Sequence, residues 1–310
     1  MTAYSQILSL YDAYVDRYRE PDGSLPEMMQ LKRVHTAFVV RNAEAIAEGE
    51  SFDGLTREVA RIAALLHDTG RYEQLRRYNT FKDSESVDHA VFSHDIVTER
   101  GWLDRIEAIG EGEGWKDAVL KAVLYHNRRD LPEEIRDPNL AFAARLTSLA
   151  AHTVRDADKL DIFRVLEERL SDPEWRKDTR AFWNLTIEAA PNPDVVRAIE
   201  ALRPVDYNAI RSLADFVLIQ VGWMISGLFF ATSRRLCRER GHLAFRRTFL
   251  HQLTDDPAID RICDLAETKL ASTGPRDSCP VGKEGGHRGS DCLIHIAISR
   301  RRMRPQSHRF

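Results

Sequence analysis

The sequence predicts an all-α protein. Apolar residues recur at intervals of three and four in one segment after another, most clearly at Leu55, Val59, Ile62, Ala63 and Leu66. From Asn139 to Leu170 the chain holds neither Gly nor Pro. Ala143, Thr147, Ala151, Val154 and Asp158 keep the helical repeat there, so one long helix is expected. Breakers at Pro21-Asp22-Gly23, Leu131-Pro132 and Asp137-Pro138 cut the helical segments apart. No sheet larger than a stray hairpin is expected.

Taken in order, residues 3–19 carry Tyr4, Ile7, Leu8, Tyr11, Tyr14, Val15 and Tyr18 at helical spacing, a packing helix that ends before Pro21. The next helix, over 27–48, sets His35 in line with Leu31, Phe38, Val39, Asn42 and Ile46, on the inward stripe. Gly49 to Gly54 forms a loop. The following helix delivers His67 from the face of Ala63, four residues earlier. Gly70 reads as its stop, since glycine alone enters the left-handed conformation without steric cost.

Gln74 to Lys82 reads as a loop or irregular helix, and Asp83 or Ser84 as the cap of a helix carrying His89. Periodicity does not choose between His89, which shares a face with Phe92 and Ile96, and His94, which shares one with Val87, Ala90 and Val97. Residues 101–114 fit a short helix between loops; helical spacing returns over 115–128, with Val119, Val123 and His126 on one face. In the long helix Asp158 is expected to face inward and Asp156 is not. Pro173, Pro191, Pro193 and Pro204 then punctuate a looser stretch of shorter helices containing Trp175, Phe182 and Trp183. The uncharged run Phe216–Ser233 reaches the lower length of a membrane span, but Gln220, Gly222, Ser226 and Gly227 dilute it, and it reads as a buried helix.

The composition is that of a globular chain, 43% hydrophobic and 30% charged. The net charge of −3 conceals an asymmetry: residues 271–310 hold eight Lys and Arg against three Asp and Glu, so the remainder stands at −8. A body that acidic argues against nucleic-acid binding by the core. Residues 271–310 read as a disordered basic tail after a single domain over 1–270. Cys237, Cys263, Cys279 and Cys292 show no CxxC spacing, and no basic-then-apolar leader opens the sequence, so a cytoplasmic setting is expected.

His35, His67-Asp68, His89, His126 and Asp158 each fall on a segment with helical periodicity. A single inward histidine is ordinarily a hydrogen-bonded core residue, but four imidazoles and two carboxylates buried together without a cation would be costly. The order His…His-Asp…His…His…Asp resembles the HD superfamily of metal-dependent phosphohydrolases. The segments Thr80-Phe81-Lys82-Asp83, Ser86-Val87-Asp88-His89-Ala90, Tyr125-His126-Asn127 and Arg155-Asp156-Ala157-Asp158-Lys159-Leu160-Asp161 resemble one bacterial branch of it, over roughly residues 30–230.

The resemblance implies an HD-type helical bundle with additional C-terminal helices. It favours His89 over His94, and it implies one or two divalent cations (Mn, Fe, Mg, Ni or Co). His35, His67, Asp68 and Asp158 would hold one, His89 and His126 would complete the second, and Asp68 would bridge them. The implied reaction is hydrolysis of a phosphomonoester or phosphodiester, of a nucleotide or another small phosphorylated metabolite, by a metal-activated water. Asp68, Arg71 and Lys159 are the expected catalytic residues, and Arg71, Asn127, Arg128 and Lys159 the expected substrate contacts. Two alternatives stay open, a di-iron oxygenase with the same ligand order and a non-enzymatic nucleotide or phosphate sensor. The expected partner is a small phosphorylated substrate, with no membrane and with self-association open.

Overall fold

The computed structural model describes residues 2–106, 109, 114–136, 142–173, 185–187 and 189–272. The α-helices among them are α1 (Ala3–Val15), α2 (Glu27–Gly49), α3 (Gly54–Leu66), α4 (Gly70–Tyr78), α5 (His89–Glu99), α6 (Trp115–Tyr125), α7 (Glu133–Arg136), α8 (Phe142–Ser171), α9 (Pro193–Glu200), α10 (Leu213–Ser226), α11 (Ala231–Glu239), α12 (His242–His251) and α13 (Ala258–Leu270). The β structure of the described residues is one isolated bridge, Thr186 to Ser212.

Polar side chains start several of these helices. Asp53 accepts from Thr56 N at α3, Asp88 from Ala90 N and Val91 N at α5, and Ser212 with Asp215 forms a reciprocal capping box at α10. Each satisfies backbone donors that have no partner within the helix, worth about 1 kcal/mol apiece.

Helix α8 is the axis of the molecule. At 30 residues it runs about 45 Å. Its N-terminal two thirds pack against α2, α3 and α6, and the small side chains Ala150, Ala151 and Ala157, all fully buried, let those helices come close. This core gathers Ile46, Ile62, Leu66, Val119, Val123, Leu146, Val154 and Leu160. The far end of α8 contributes Leu166 and Leu170 to a second core built from α9, α10, α12 and α13. Each such buried aliphatic side chain stabilises the fold by about 1.5–3 kcal/mol.

Several expectations are corrected by this packing. Gly70 does not stop a helix in the left-handed region. It opens α4, four residues after the last residue of α3, and glycine is needed there because a Cβ would lie 2.7 Å from Ser93 N and 2.9 Å from His89 O. Residues 70–78 form regular helix, and the left-handed residue is Asn79, at its end. The cap of α5 is Asp88, while Asp83 lies in a short 3-10 turn and turns its carboxylate to His89. Asp156 is buried, at 1% exposure, because α8 is covered on more than one side: its carboxylate accepts from Phe229 N and Phe230 N, at 2.9 Å each, and so anchors the turn into α11.

The uncharged run 216–233 is divided between α10, the turn at Gly227 and the start of α11, and no described helix is long and apolar enough to cross a membrane. Trp175, Phe182, Trp183 and the tail from 273 onward lie outside the described residues.

Candidate metal centre

Two mid-helix positions, two helix C-caps, one turn and one helix start bring the six candidate ligands together. His35 sits in the middle of α2 and Asp158 in the middle of α8, on facing sides of two helices packed along their length. His67 and His126 occupy the C-caps of α3 and α6, where each ring reaches back to a carbonyl of its own last turn. Asp68 follows in the tight turn to α4, and His89 is the first residue of α5. The turn and α5 are held in register by the Ser93 hydroxyl, which accepts from Gly70 N at 2.8 Å and donates to His89 O at 2.7 Å.

The Nδ1 side of every imidazole faces an acceptor. His67 Nδ1 donates to Ala64 O at 2.8 Å and His126 Nδ1 to Val123 O at 2.7 Å. His35 Nδ1 donates to Asp161 at 2.6 Å and His89 Nδ1 to Asp83 at 2.5 Å. These bonds fix the tautomers and turn all four Nε2 atoms into the cavity.

The Nε2 atoms divide around Asp68. His35 and His67 lie 3.6 Å from its Oδ2, and Asp158 Oδ1 is 3.1 Å from His35 and 3.9 Å from His67. His89 and His126 lie on the other side, 3.6 and 3.9 Å from Asp68 Oδ1. Ligand atoms of His35, His67 and Asp158 fall within 4.8 Å of one another, as do those of His67, Asp68 and His126.

The donor set fits divalent cations on two observations. His67 Nε2 is buried without a hydrogen-bond partner. His89 Nε2 and His126 Nε2 stand 3.1 Å apart, two lone pairs facing each other once both Nδ1 atoms carry the proton, an arrangement that requires a cation or a proton between them. Neutral imidazoles with carboxylates are the ligands of borderline first-row metals.

Electrostatics keep both carboxylates anionic and two of the four rings neutral. Burial works against ionisation of Asp68, yet Lys32, His67, Arg71 and His89 outweigh it and hold its pKa well below the usual value. Asp158 is likewise lowered against burial, by His35, His67 and His126. Burial, reinforced by neighbouring imidazoles, pushes His126 down, and burial also lowers His67, so both present neutral rings. Burial and Lys32 oppose protonation of His35, but hydrogen bonds to Asp158 and Asp161 prevail and raise it to about 9.

The other expected site residues are placed unequally. Arg71 is buried at the cavity wall, but its Nη1 donates to Gln74 Oε1, Phe81 O and Asp83 Oδ1, which commits that nitrogen to the protein. Asn127 lines the cavity, its Nδ2 bonded to Asp88 and its buried Oδ1 unpartnered. Arg128 pairs with Asp88 at 2.8 Å, and neither it nor Lys159 is among the lining residues. Lys159 Nζ donates to Arg155 O, and its Cε approaches Gly227. His94 is half-buried beside Asp95 and takes no part.

Sequence reasoning gives no site role to Lys32, Asp83 or Asp161, although the last two fall in segments that carry the resemblance. Lys32 Nζ lies 2.7 Å from Asp68 Oδ2 and 5.5 Å above the Phe81 ring. Adjacency in sequence is a poor guide on a helix, where the neighbours of a side chain are three and four residues away, the interval from Lys32 to His35 and from Asp158 to Asp161. Asp83 belongs to a turn and had no such signal. Lys32, with Leu31, Phe81, Ile162 and Val165, lines the cleft over the candidate ligands, whose cavity volume is about 40 Å³.

Residues 34–162 match the family model of the HD domain. The six converging residues all lie inside that span, so the segment that builds the cavity is the one similar to the HD domain. No curated protein and no solved structure matches the chain.

Proposed function

We propose that this protein is a metal-dependent phosphohydrolase that cleaves a small phosphomonoester or phosphodiester at a two-cation centre. The observation that carries this reading is the division of Asp68, one carboxylate oxygen beside His35 and His67 and the other beside His89 and His126. His35, His67, Asp158 and Asp68 would hold one cation, and His89, His126 and Asp68 the other. Bound there, the cations would supply an acidified water and charge stabilisation for the attacking and leaving oxygens.

The chain's own residues supply the rest. Lys32 brings a positive charge to the cleft, held over Phe81, and is the group suited to a non-bridging phosphoryl oxygen. Asn127 Oδ1, buried and unpartnered, accepts from a water or a substrate hydroxyl. Leu31, Phe81, Ile162 and Val165 give the cleft an apolar wall that excludes water from one side of the substrate. In this reading Arg71 braces the ligands, and Arg128 and Lys159 stand outside the reacting centre.

The test is metal analysis of the purified protein, followed by hydrolysis of p-nitrophenyl phosphate, bis-p-nitrophenyl phosphate and a nucleotide panel in Mn, Fe, Mg, Ni or Co. Two equivalents of metal with metal-dependent turnover is the expected result. Two irons with an oxygen-dependent spectrum and no phosphate release would replace hydrolysis by oxygenase chemistry. Tight nucleotide binding without turnover would make the protein a sensor.

A further inference from the structure

Two of the four imidazoles are fixed by the backbone and two are not. His67 and His126 sit at helix C-caps, where the carbonyl three residues back has no helical donor to receive, so the local fold itself supplies the acceptor for Nδ1. His35 lies in mid-helix, where the carbonyls of the preceding turn are already used, and His89 opens its helix with no helical carbonyl behind it. Each of these rings needs a side chain to orient it.

The structure supplies the same device twice. Asp161 accepts from His35 Nδ1 at 2.6 Å and from Arg164 at 2.6 Å (Nε to Oδ1) and 3.0 Å (Nη2 to Oδ2). Asp83 accepts from His89 Nδ1 at 2.5 Å, from Arg71 Nη1 at 2.9 Å and from Gln74 Nε2 at 3.0 Å. Both carboxylates are buried or nearly so, with side-chain exposures of 1% and 8%, and each accepts from an arginine as well as from the imidazole. The two chains, His35–Asp161–Arg164 and His89–Asp83–Arg71, start at different oxygens of Asp68, His35 beside Oδ2 and His89 beside Oδ1.

We propose that Asp161 and Asp83 are positioning residues that act on one cation subsite each: Asp161 through His35 on the subsite with His67 and Asp158, and Asp83 through His89 on the subsite with His126. This rests on the two-cation reading of the cavity. A carboxylate behind a ligating imidazole holds the ring and raises its basicity, and loss of such a partner weakens metal affinity about 10- to 100-fold. The subsites are unequal. The first has an anionic ligand of its own in Asp158, whereas the second shares its only carboxylate, so Asp83 is the more critical of the pair.

The experiment is calorimetric titration of the metal-free protein with Mn²⁺, Co²⁺ and Ni²⁺ separately, on the full chain and on folded variants. The unmodified protein is expected to take up two equivalents. Asp161→Asn and Asp83→Asn are each expected to keep one equivalent at unchanged affinity and to weaken the other about 10- to 100-fold, with the larger loss in Asp83→Asn.

Double variants identify the subsite. Asp161→Asn is expected to add nothing to His35→Ala, through which it acts, while Asp161→Asn with His89→Ala weakens both equivalents. A merely structural role would spread the loss over both subsites. Arg164→Gln, which leaves both carboxylates in place on a half-buried surface, should give a smaller loss at the Asp161 subsite alone. Two equivalents at unchanged affinity in both Asp→Asn variants, or equal losses at both subsites, overturn the assignment. Failure of the unmodified protein to take up two equivalents of any of the three metals overturns the two-cation reading itself, and the assignment with it.

Discussion

Two clusters of charged and polar side chains are buried along α8, and they differ in what they leave open. The one near its C-terminal end is Arg246, Glu167, His242 and Gln220. Arg246 is fully buried and donates to Glu167 Oε1, His242 O, Phe163 O and Gln220 Oε1, and His242 Nδ1 meets the same Glu167 oxygen at 2.7 Å. Its charge is balanced internally, a guanidinium against a carboxylate. Gln220 Nε2 and His242 Nε2 remain unpartnered, but the metal-type groupings among the described residues include neither His242 nor Glu167.

The cluster near the middle of α8 has its hydrogen bonds made on the outer side of every imidazole and its lone pairs gathered on the inner side. Burial of ionisable groups therefore does not distinguish a functional site from a structural one. The direction in which their unmet valence points does.

The largest expected separation between the clusters is in metal content. Asp68→Ala should remove both cations, because each loses an anionic ligand and their mutual repulsion is less screened; Arg246→Ala should keep them. Metal analysis of the two folded variants decides it, and two retained equivalents in Asp68→Ala would break the comparison.

Stability should sort the other way. Arg246→Ala strips a buried carboxylate of its partner and should cost about 3 kcal/mol in denaturant unfolding of the metal-free protein. Mn²⁺ at 100 times its dissociation constant should add about 2.7 kcal/mol per bound cation to the unmodified protein and to Arg246→Ala, and nothing to Asp68→Ala.

Acid sharpens the contrast further. Burial pushes the Glu167 carboxyl up, but His242 and Arg246 outweigh it and hold its pKa below the ordinary 4.5. A depressed carboxyl stabilises the fold above its unfolded value and loses that contribution as pH falls through its folded value. Arg246→Ala should therefore move acid unfolding to higher pH, as followed by circular dichroism. The smallest effect belongs to Asp95→Ala: this carboxylate is half exposed beside His94, and its loss should leave metal content unchanged and stability within about 0.5 kcal/mol.

Helix existence and the list of ligand-type residues were legible in the sequence, because both depend on intervals along one chain. The spacing of Leu55 to Leu66 is an α-helical face wherever it packs, and a histidine four residues beyond Ala63 leaves that face whatever lies opposite. Asp156 shows the limit. A periodicity argument presumes one buried face, and α8, enclosed on more than one side, buries Asp158 toward the cavity and Asp156 toward the turn before α11. Gly70 shows it again: its requirement is the approach of α5 to within 3 Å of where a Cβ would stand, a distance between segments that no local pattern encodes.

What the sequence determined by itself was therefore the helices and the kinds of atoms available to a cation. Only the tertiary structure decided that Asp68 offers one oxygen to each pair of histidines, that Lys32 reaches the cleft while Lys159 does not, and that Asp83 and Asp161 stand behind His89 and His35. Those facts depend on the angle and separation at which helices meet, set by side-chain packing across the whole core rather than by any interval along the chain.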